Sequence, residues 1–139
     1  MYNDKFVTQI VAVNNKGVIG KDDQLLWHNK EDLAHFKKTT MWNTLIVGRK
    51  TASTLPKAVS VGRALFEVSR SGLSVDEAFE KASKIANNDN IFVIGGGQIY
   101  KETFKYTDYI LLSRIDDNQD GDTFYEVPEG FELTTSHKY

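Results

Sequence analysis

Apolar positions fall into two alternating periods along this chain. The run Phe6-Val7-Thr8-Gln9-Ile10-Val11-Ala12-Val13, nearly all apolar toward its end, predicts a central strand. Thr44-Leu45-Ile46-Val47, stopping at Gly48, predicts a second strand, and Ala64 to Val68, stopping at Ser69, a third. Further strands are predicted from Ile91, over Tyr109-Ile110-Leu111-Leu112-Ser113, and, more weakly, from Phe131 to His137. Between them the spacing turns helical. Asn29 reads as an N-cap, with Asp32 at the third helical position and Leu33 and Phe36 on one face. Ser74-Val75-Asp76-Glu77 is a capping box opening a helix to about Ala86, with Val75, Ala78, Phe79, Ala82 and Ile85 inward. Strands alternating with helices predict a mostly parallel α/β sheet. The stretch Asn14 to Gln24, with Gly17, Gly20 and Asp22-Asp23, reads as a long loop, and long ordered loops tend to be functional lids.

The richest segment is Ile91-Phe92-Val93-Ile94-Gly95-Gly96-Gly97-Gln98-Ile99-Tyr100. A buried strand ends in three glycines, and Ile99, Tyr100 and Phe104 then follow at helical spacing. Strand, glycine turn and helix leave backbone N–H groups facing a ligand, where a helix N-terminus favours negative charge. The glycines permit close approach to the main chain. Tight packing alone would also explain them, and a lone glycine motif is weak.

Composition narrows the classes. A chain of 139 residues with 40% hydrophobic and 26% charged residues suits one soluble domain, expected to span 1–139. A net charge of -2 supplies no basic footprint for nucleic acid and no polybasic membrane patch. Without cysteine there is no thiolate chemistry, and no apolar run approaches the roughly 18 residues that span a bilayer. The N-terminus lacks the apolar core of a signal peptide, so the cytoplasm is expected.

Ligands of parallel sheets sit beyond the carboxyl ends of the strands. The polar residues predicted there are Asn14, Gly48-Arg49-Lys50-Thr51, Ser69-Arg70, Gly95 to Gly97 and Ser113, a set biased toward anions. Gly95 to Tyr100 is not the G-x-G-x-x-G fingerprint, since Tyr100 replaces the third glycine. Gly48 to Thr51 is not a triphosphate loop, because position 43 is Asn. Two cations and a hydroxyl after a strand still suit a phosphate, and Arg70 could clamp another through its planar fork. Solvated surface charge is the plainer alternative for each.

Asp32 has two readings on local sequence: completing a helix cap, or meeting a ligand from an apolar face. A buried carboxylate is expensive unless a donor meets it, and an amino-bearing heterocycle would. His28 and His35 are too far apart along a helix to share a metal, and no thiolate or second acid completes a site; no metal is expected.

These pieces together resemble the dihydrofolate reductase family from about Ile10 to Phe124. Ile10 to Val13 through Val18-Ile19-Gly20 is similar to its N-terminal strand and mobile loop. Trp27 with Asp32, Leu33 and Phe36 is similar to its pterin pocket, and Gly48-Arg49-Lys50-Thr51 to its G-R-x-T cofactor motif. Ser69-Arg70 falls on its adenosine-phosphate site, Val93 to Gly97 with Tyr100 on its glycine turn, and Ser113 with Gly121 to Phe124 on its late strand and lid-supporting loop. The resemblance implies a twisted, mostly parallel sheet of about seven strands flanked by helices on both faces. It implies hydride transfer from NADPH to 7,8-dihydrofolate by a monomer, with a proton added to the neighbouring ring nitrogen.

Asp32 would then bind the pterin's exocyclic amine and ring N–H and favour its protonation through a water, with Ser113 orienting the carboxylate and Trp27 holding the water. Leu33, Phe36 and Leu55 would wall the substrate, joined by Val11 and Tyr100, and the carbonyls of Ile10 and Ile94 would meet its amino group. Arg63 falls on the arginine pairing with the substrate's α-carboxylate. Ala12 and Ile19 would bond the nicotinamide carboxamide. Gly20, Leu25, Gly48, Lys50, Thr51, Gly95, Gly96, Gly97, Gln98 and Ile99 complete the cofactor set, while Arg49, Ser69 and Arg70 would prefer a 2′-phosphate.

The chain departs from the family at several points. Leu26 stands where proline is usual and Ala52 where tryptophan is usual; Pro56 to Gly62 does not match cleanly. Arg70 to Ser74 is short, and a final antiparallel strand is expected to be absent, leaving an uncovered sheet edge. Two rival readings are a related reductase of the superfamily, such as that of riboflavin synthesis, and a non-catalytic binding protein.

Overall fold

The computed structural model describes residues 1–21, 24–25, 30–53, 64–85, 90–131 and 137–138. Nine strands and four α-helices run through them in the order β1 (Phe6–Val13), β2 (Val18–Lys21), β3 (Gln24–Leu25), α1 (Lys30–Thr40), β4 (Thr44–Gly48), α2 (Arg49–Ala52), β5 (Ala64–Val68), α3 (Val75–Ser83), β6 (Asn90–Val93), α4 (Gly97–Thr103), β7 (Tyr109–Arg114), β8 (Thr123–Phe124) and β9 (His137–Lys138). A 3-10 turn, Phe104–Tyr106, follows α4.

The main sheet has the order β5-β4-β6-β1-β7-β9, and every pairing in it is parallel. Its strand ends therefore share one edge. The registers place Gly48 beside Val68, and Ala12 beside Ser113. The predicted parallel sheet is present, with six strands rather than about seven among the described residues. No antiparallel strand joins it there. A second, antiparallel sheet, β3-β2-β8, takes β2 from the segment read as a loop and β8 from a distant one: Gly20 pairs with both Leu25 and Thr123.

Strand alternation sorts the core. Ile46, Ile91 and Val93 join Val7, Val11 and Phe79 in one buried cluster. Their neighbours Leu45, Val47, Phe92 and Ile94 join Ile10 in another, against which Phe36 of α1 and Ala52 of α2 pack. All five β4 residues are buried, which is why that strand reads as an unbroken apolar run. Helix α3 buries Ala78, Phe79 and Ala82, and its start is the predicted capping box: Glu77 N–H donates to Ser74 Oγ at 3.1 Å and Ser74 N–H to Glu77 Oε1 at 3.4 Å. The helix stops at Ser83, short of Ala86. There the Lys84 and Ile85 N–H groups bond back to Lys81 and Ala82, tightening the last turn.

Candidate active site

At the carboxyl edge of the main sheet lies a groove of about 1290 Å³. Three strand ends and the second sheet build it. Gly48, Arg49, Lys50 and Thr51 follow β4; Ser69 and Arg70 follow β5; Gly96, Gly97, Gln98 and Ile99 follow β6; Ile19, Gly20 and Thr123 come from β2 and β8. Parallel pairing of β5 and β6 on either side of β4 brings these distant sequence segments side by side.

The glycine turn is continuous with the sheet ladder. Ile94 N–H donates to Ile46 O at 3.0 Å and Gly48 N–H to Gly95 O at 2.8 Å. Gly95 has φ +117°, a conformation that glycine alone adopts without strain, and the Gly95–Gly96 peptide is cis. A Cβ at Gly97 would lie 2.7 Å from Thr123 Cγ2, and one at Gly96 would lie 2.9 Å from Thr51 Oγ1. The absent side chains thus admit the protein's own neighbours as well as opening the turn toward the groove.

The cations predicted for an anion are together in the groove. Arg49, Lys50 and Arg70 are exposed there, with Thr51 buried and Ser69 half-buried beside them. The sequence reading missed Lys105 and the acids Asp76, Glu77 and Glu102, which line the same groove. Asp76 accepts a 2.6 Å hydrogen bond from Tyr106, whose hydroxyl is thereby pushed up to about 12, and stands 3.9 Å from Lys105 Nζ. Asp76 and Glu77 read locally as helix-start acids. The short connection after β5 carries the start of α3 to the groove, an effect visible only in three dimensions.

Beyond the glycine turn, the substrate-side residues divide between the two clusters. Ile10 and Ile94 are buried together with Phe36 packed against them. Val11 and Tyr100 belong to the opposite cluster, as strand alternation requires for Val11. Tyr100 OH donates to Ile10 O at 2.8 Å, so the carbonyl expected to meet the substrate amine already accepts a hydrogen bond within the protein. Ala12 is half-buried on β1, paired in register with buried Ser113. Ile19 is buried, and Gly20 O accepts from Asp122 N–H at 3.1 Å. Leu25 is placed on β3. Asp32 and Leu33 lie in α1, one turn before Phe36, with their side chains outside the description. Trp27, Leu55 and Arg63, like the predicted cap Asn29, lie outside the described residues.

The segment read as a lid is tied down at its start. Buried Asn14 donates to Asp117 Oδ2 at 3.2 Å and to Gln119 O at 2.8 Å. Its Oδ1 accepts from the N–H groups of Lys16 and Val18. The Asn14 bond holds the Asp117 carboxyl below its ordinary value. Asn14, expected among the strand-end residues facing an anion, does not line the groove; its side chain ties the segment to residues 117–119 instead.

Taken together, the fold and groove are those of a parallel α/β protein whose strands end at a cleft with Arg49, Lys50 and Arg70 gathered for an anion. A family model described as Dihydrofolate reductase matches residues 6–139. The chain is 38% identical over 123 residues to the dihydrofolate reductase of Haemophilus influenzae, covering 84% of this chain and 76% of that protein. It is 34% identical to dihydrofolate reductase type 6 of Proteus mirabilis, covering 96% and 90%. Among solved structures, the dihydrofolate reductase of Enterococcus faecalis complexed with NADP(H) and RAB-propyl superimposes with a TM-score of 0.76 at 27% identity, covering 93% of this chain and 82% of that one. This chain belongs to the dihydrofolate reductase family.

Proposed function

We propose that this protein is an oxidoreductase that reduces 7,8-dihydrofolate to 5,6,7,8-tetrahydrofolate with NADPH. The observation carrying the proposal is the gathering of Arg49, Lys50, Ser69 and Arg70 with the glycine turn in one groove, beside an apolar cluster packed on α1. That donor set fits a phosphorylated dinucleotide: cations and hydroxyls for phosphate oxygens, and a side-chain-free turn for a flat ring. Bound NADPH supplies a hydride. The reaction adds that hydride and a proton across one C=N bond of the pterin and releases NADP⁺.

Everything else falls to the chain. Arg49 and Arg70 would hold phosphate, including a 2′-phosphate, with Ser69, Lys50 and Thr51 adding donors. Gly95 to Gly97, Gln98 and Ile99 would form the floor under the cofactor. Ala12 and Ile19 would fix the carboxamide through main-chain bonds, with Gly20 and Leu25 closing over it and excluding water. The Ile10 and Ile94 carbonyls, Val11, Leu33, Phe36, Leu55 and Tyr100 would shape the pterin site, and Arg63 would pair with the substrate's carboxylate. Asp32 would accept from the pterin amine and ring N–H, and through a water held by Trp27 would favour the proton on the reacting ring nitrogen. Ser113 would orient Asp32. Holding both reactants in reacting geometry is worth several kcal/mol of barrier.

The same reading takes 1–139 as one domain with helices on both sheet faces, acting as a cytoplasmic monomer without nucleic-acid partners. Two separately composed core clusters, one packed on α1 and one including α3, support the layered arrangement. No helix among the described residues is long and apolar enough to cross a membrane.

The test is Asp32→Asn. A large loss of dihydrofolate-dependent NADPH oxidation at neutral pH, partly recovered at low pH where the substrate arrives protonated, supports the assignment. Equal rates at neutral pH would remove Asp32 from it.

A further inference from the structure

Gln9 interrupts the apolar run of β1 with a carboxamide that is 0% exposed. A buried amide is costly unless bonded, and this one is bonded in two directions. Its Nε2 donates to Tyr100 O at 2.8 Å and to Thr103 Oγ1 at 2.9 Å. Both partners stand in the last turn of α4, where carbonyls run out of helical donors. Its Oε1 accepts from Tyr125 OH at 2.8 Å. Tyr125 directly follows β8, and its own N–H donates to Gly17 O at 3.0 Å, at the foot of β2. The Tyr125 ring also meets Tyr100 edge-on, centroids 5.1 Å apart. Neither Gln9 nor Tyr125 lines the groove.

We propose that Gln9 and Tyr125 are positioning residues whose hydrogen bond couples the β2–β8 segment to helix α4, and through it to the Gly95–Gly97 turn. One end of the link is fixed where the β2 segment begins. The other sets the helix whose first residues, Gly97 to Ile99, form part of the groove. A side chain at position 125 that only filled space would need no hydroxyl, yet this hydroxyl is aimed at the one acceptor atom of the Gln9 amide. For its effect on cofactor binding the inference rests on the function proposed above; for the coupling itself it does not.

The experiment compares the parent, Tyr125→Phe, and the double variant Gln9→Leu with Tyr125→Phe by amide hydrogen exchange on the ligand-free protein. Turn reporters are the Gly48 and Tyr100 amides, bonded to Gly95 O and Gly96 O; segment reporters are the Asn14 and Asp122 amides, bonded to Val18 O and Gly20 O. The Ala78 amide, bonded to Ser74 O in α3, is the control. Tyr125→Phe should speed exchange at both reporter sets roughly tenfold beyond the control, the size expected for one lost buried hydrogen bond. The double variant, which also removes the Gln9 bonds to Tyr100 O and Thr103 Oγ1, should keep its turn amides at least as fast as those of Tyr125→Phe; it also carries the test if the single variant does not fold. Equal acceleration of turn and control amides, or no acceleration at the turn, would overturn the coupling. In parallel, the NADPH dissociation constant should rise several-fold, and by more than that of dihydrofolate. Equal weakening of both ligands would count against positioning, whereas a parent that does not bind NADPH would overturn only the proposed function.

Discussion

Adding one methyl at Gly97 probes how closely the lid sheet sits on the glycine turn. A Cβ there would stand 2.7 Å from Thr123 Cγ2. Carbon atoms rest at about 3.5–4.0 Å, so Gly97→Ala demands roughly 1 Å of movement. Thr123 is paired with Gly20, so that movement passes into β8 and β2. Overpacking of this kind costs roughly 1–3 kcal/mol. At about 4 °C per kcal/mol for a domain of this length, the melting temperature should fall by roughly 4–12 °C. Thr123→Ser deletes the clashing methyl and keeps the hydroxyl that bonds Asp122 Oδ1 at 2.9 Å. The double variant Gly97→Ala with Thr123→Ser should therefore regain most of the loss, and NADPH binding should follow the same order. Circular-dichroism melting with fluorescence-monitored NADPH titration reads both, Thr123→Ser alone serving as control. A double variant no better than Gly97→Ala would refute the contact as the cause.

Three further outcomes are expected. Arg70→Gln should raise the KM for NADPH roughly tenfold while leaving NADH little changed, since it removes one charge-assisted phosphate contact; steady-state kinetics with both cofactors decides, and equal effects would deny Arg70 the 2′-phosphate. Ser74→Ala should cost about 1 kcal/mol in urea unfolding through loss of the α3 cap, and an unshifted midpoint would count against it. Tyr106 titrates at about 12 when folded against 10.0 as its ordinary value. The folded value being the higher, its contribution is complete below pH 10 and is lost as pH rises toward 12. Tyr106→Phe should lessen the alkaline fall in urea midpoint, and an unchanged fall would exclude the Tyr106–Asp76 bond as a source.

The central strands were legible because burial on both faces writes itself as an unbroken apolar run, as in Leu45-Ile46-Val47. The Ser74 capping box was equally plain, being local chemistry. The end of α3 was not: Ile85 keeps the apolar spacing, while the backbone has already tightened at Lys84. Strands β2, β3 and β8 escaped notice because they are only two to four residues long and the β2–β8 pairing, as in Val18 with Phe124, spans more than a hundred positions. In the groove, Arg49, Lys50, Arg70 and the glycines were legible as types placed after strands, whereas Lys105 was not. Asp76, Glu77 and Glu102 were not, since their location depends on how α3 and α4 meet the strand ends. Gln9 could be seen to break a pattern, but its partners, 91 to 116 residues away, could not.

Turnover addresses the proposed reduction most directly: NADPH absorbance followed with the purified chain, with and without 7,8-dihydrofolate, and the folate product identified. The expected result is NADPH loss only when both reactants are present, with one tetrahydrofolate formed per NADPH consumed. A folded chain that binds NADPH yet consumes none on addition of dihydrofolate would contradict the account.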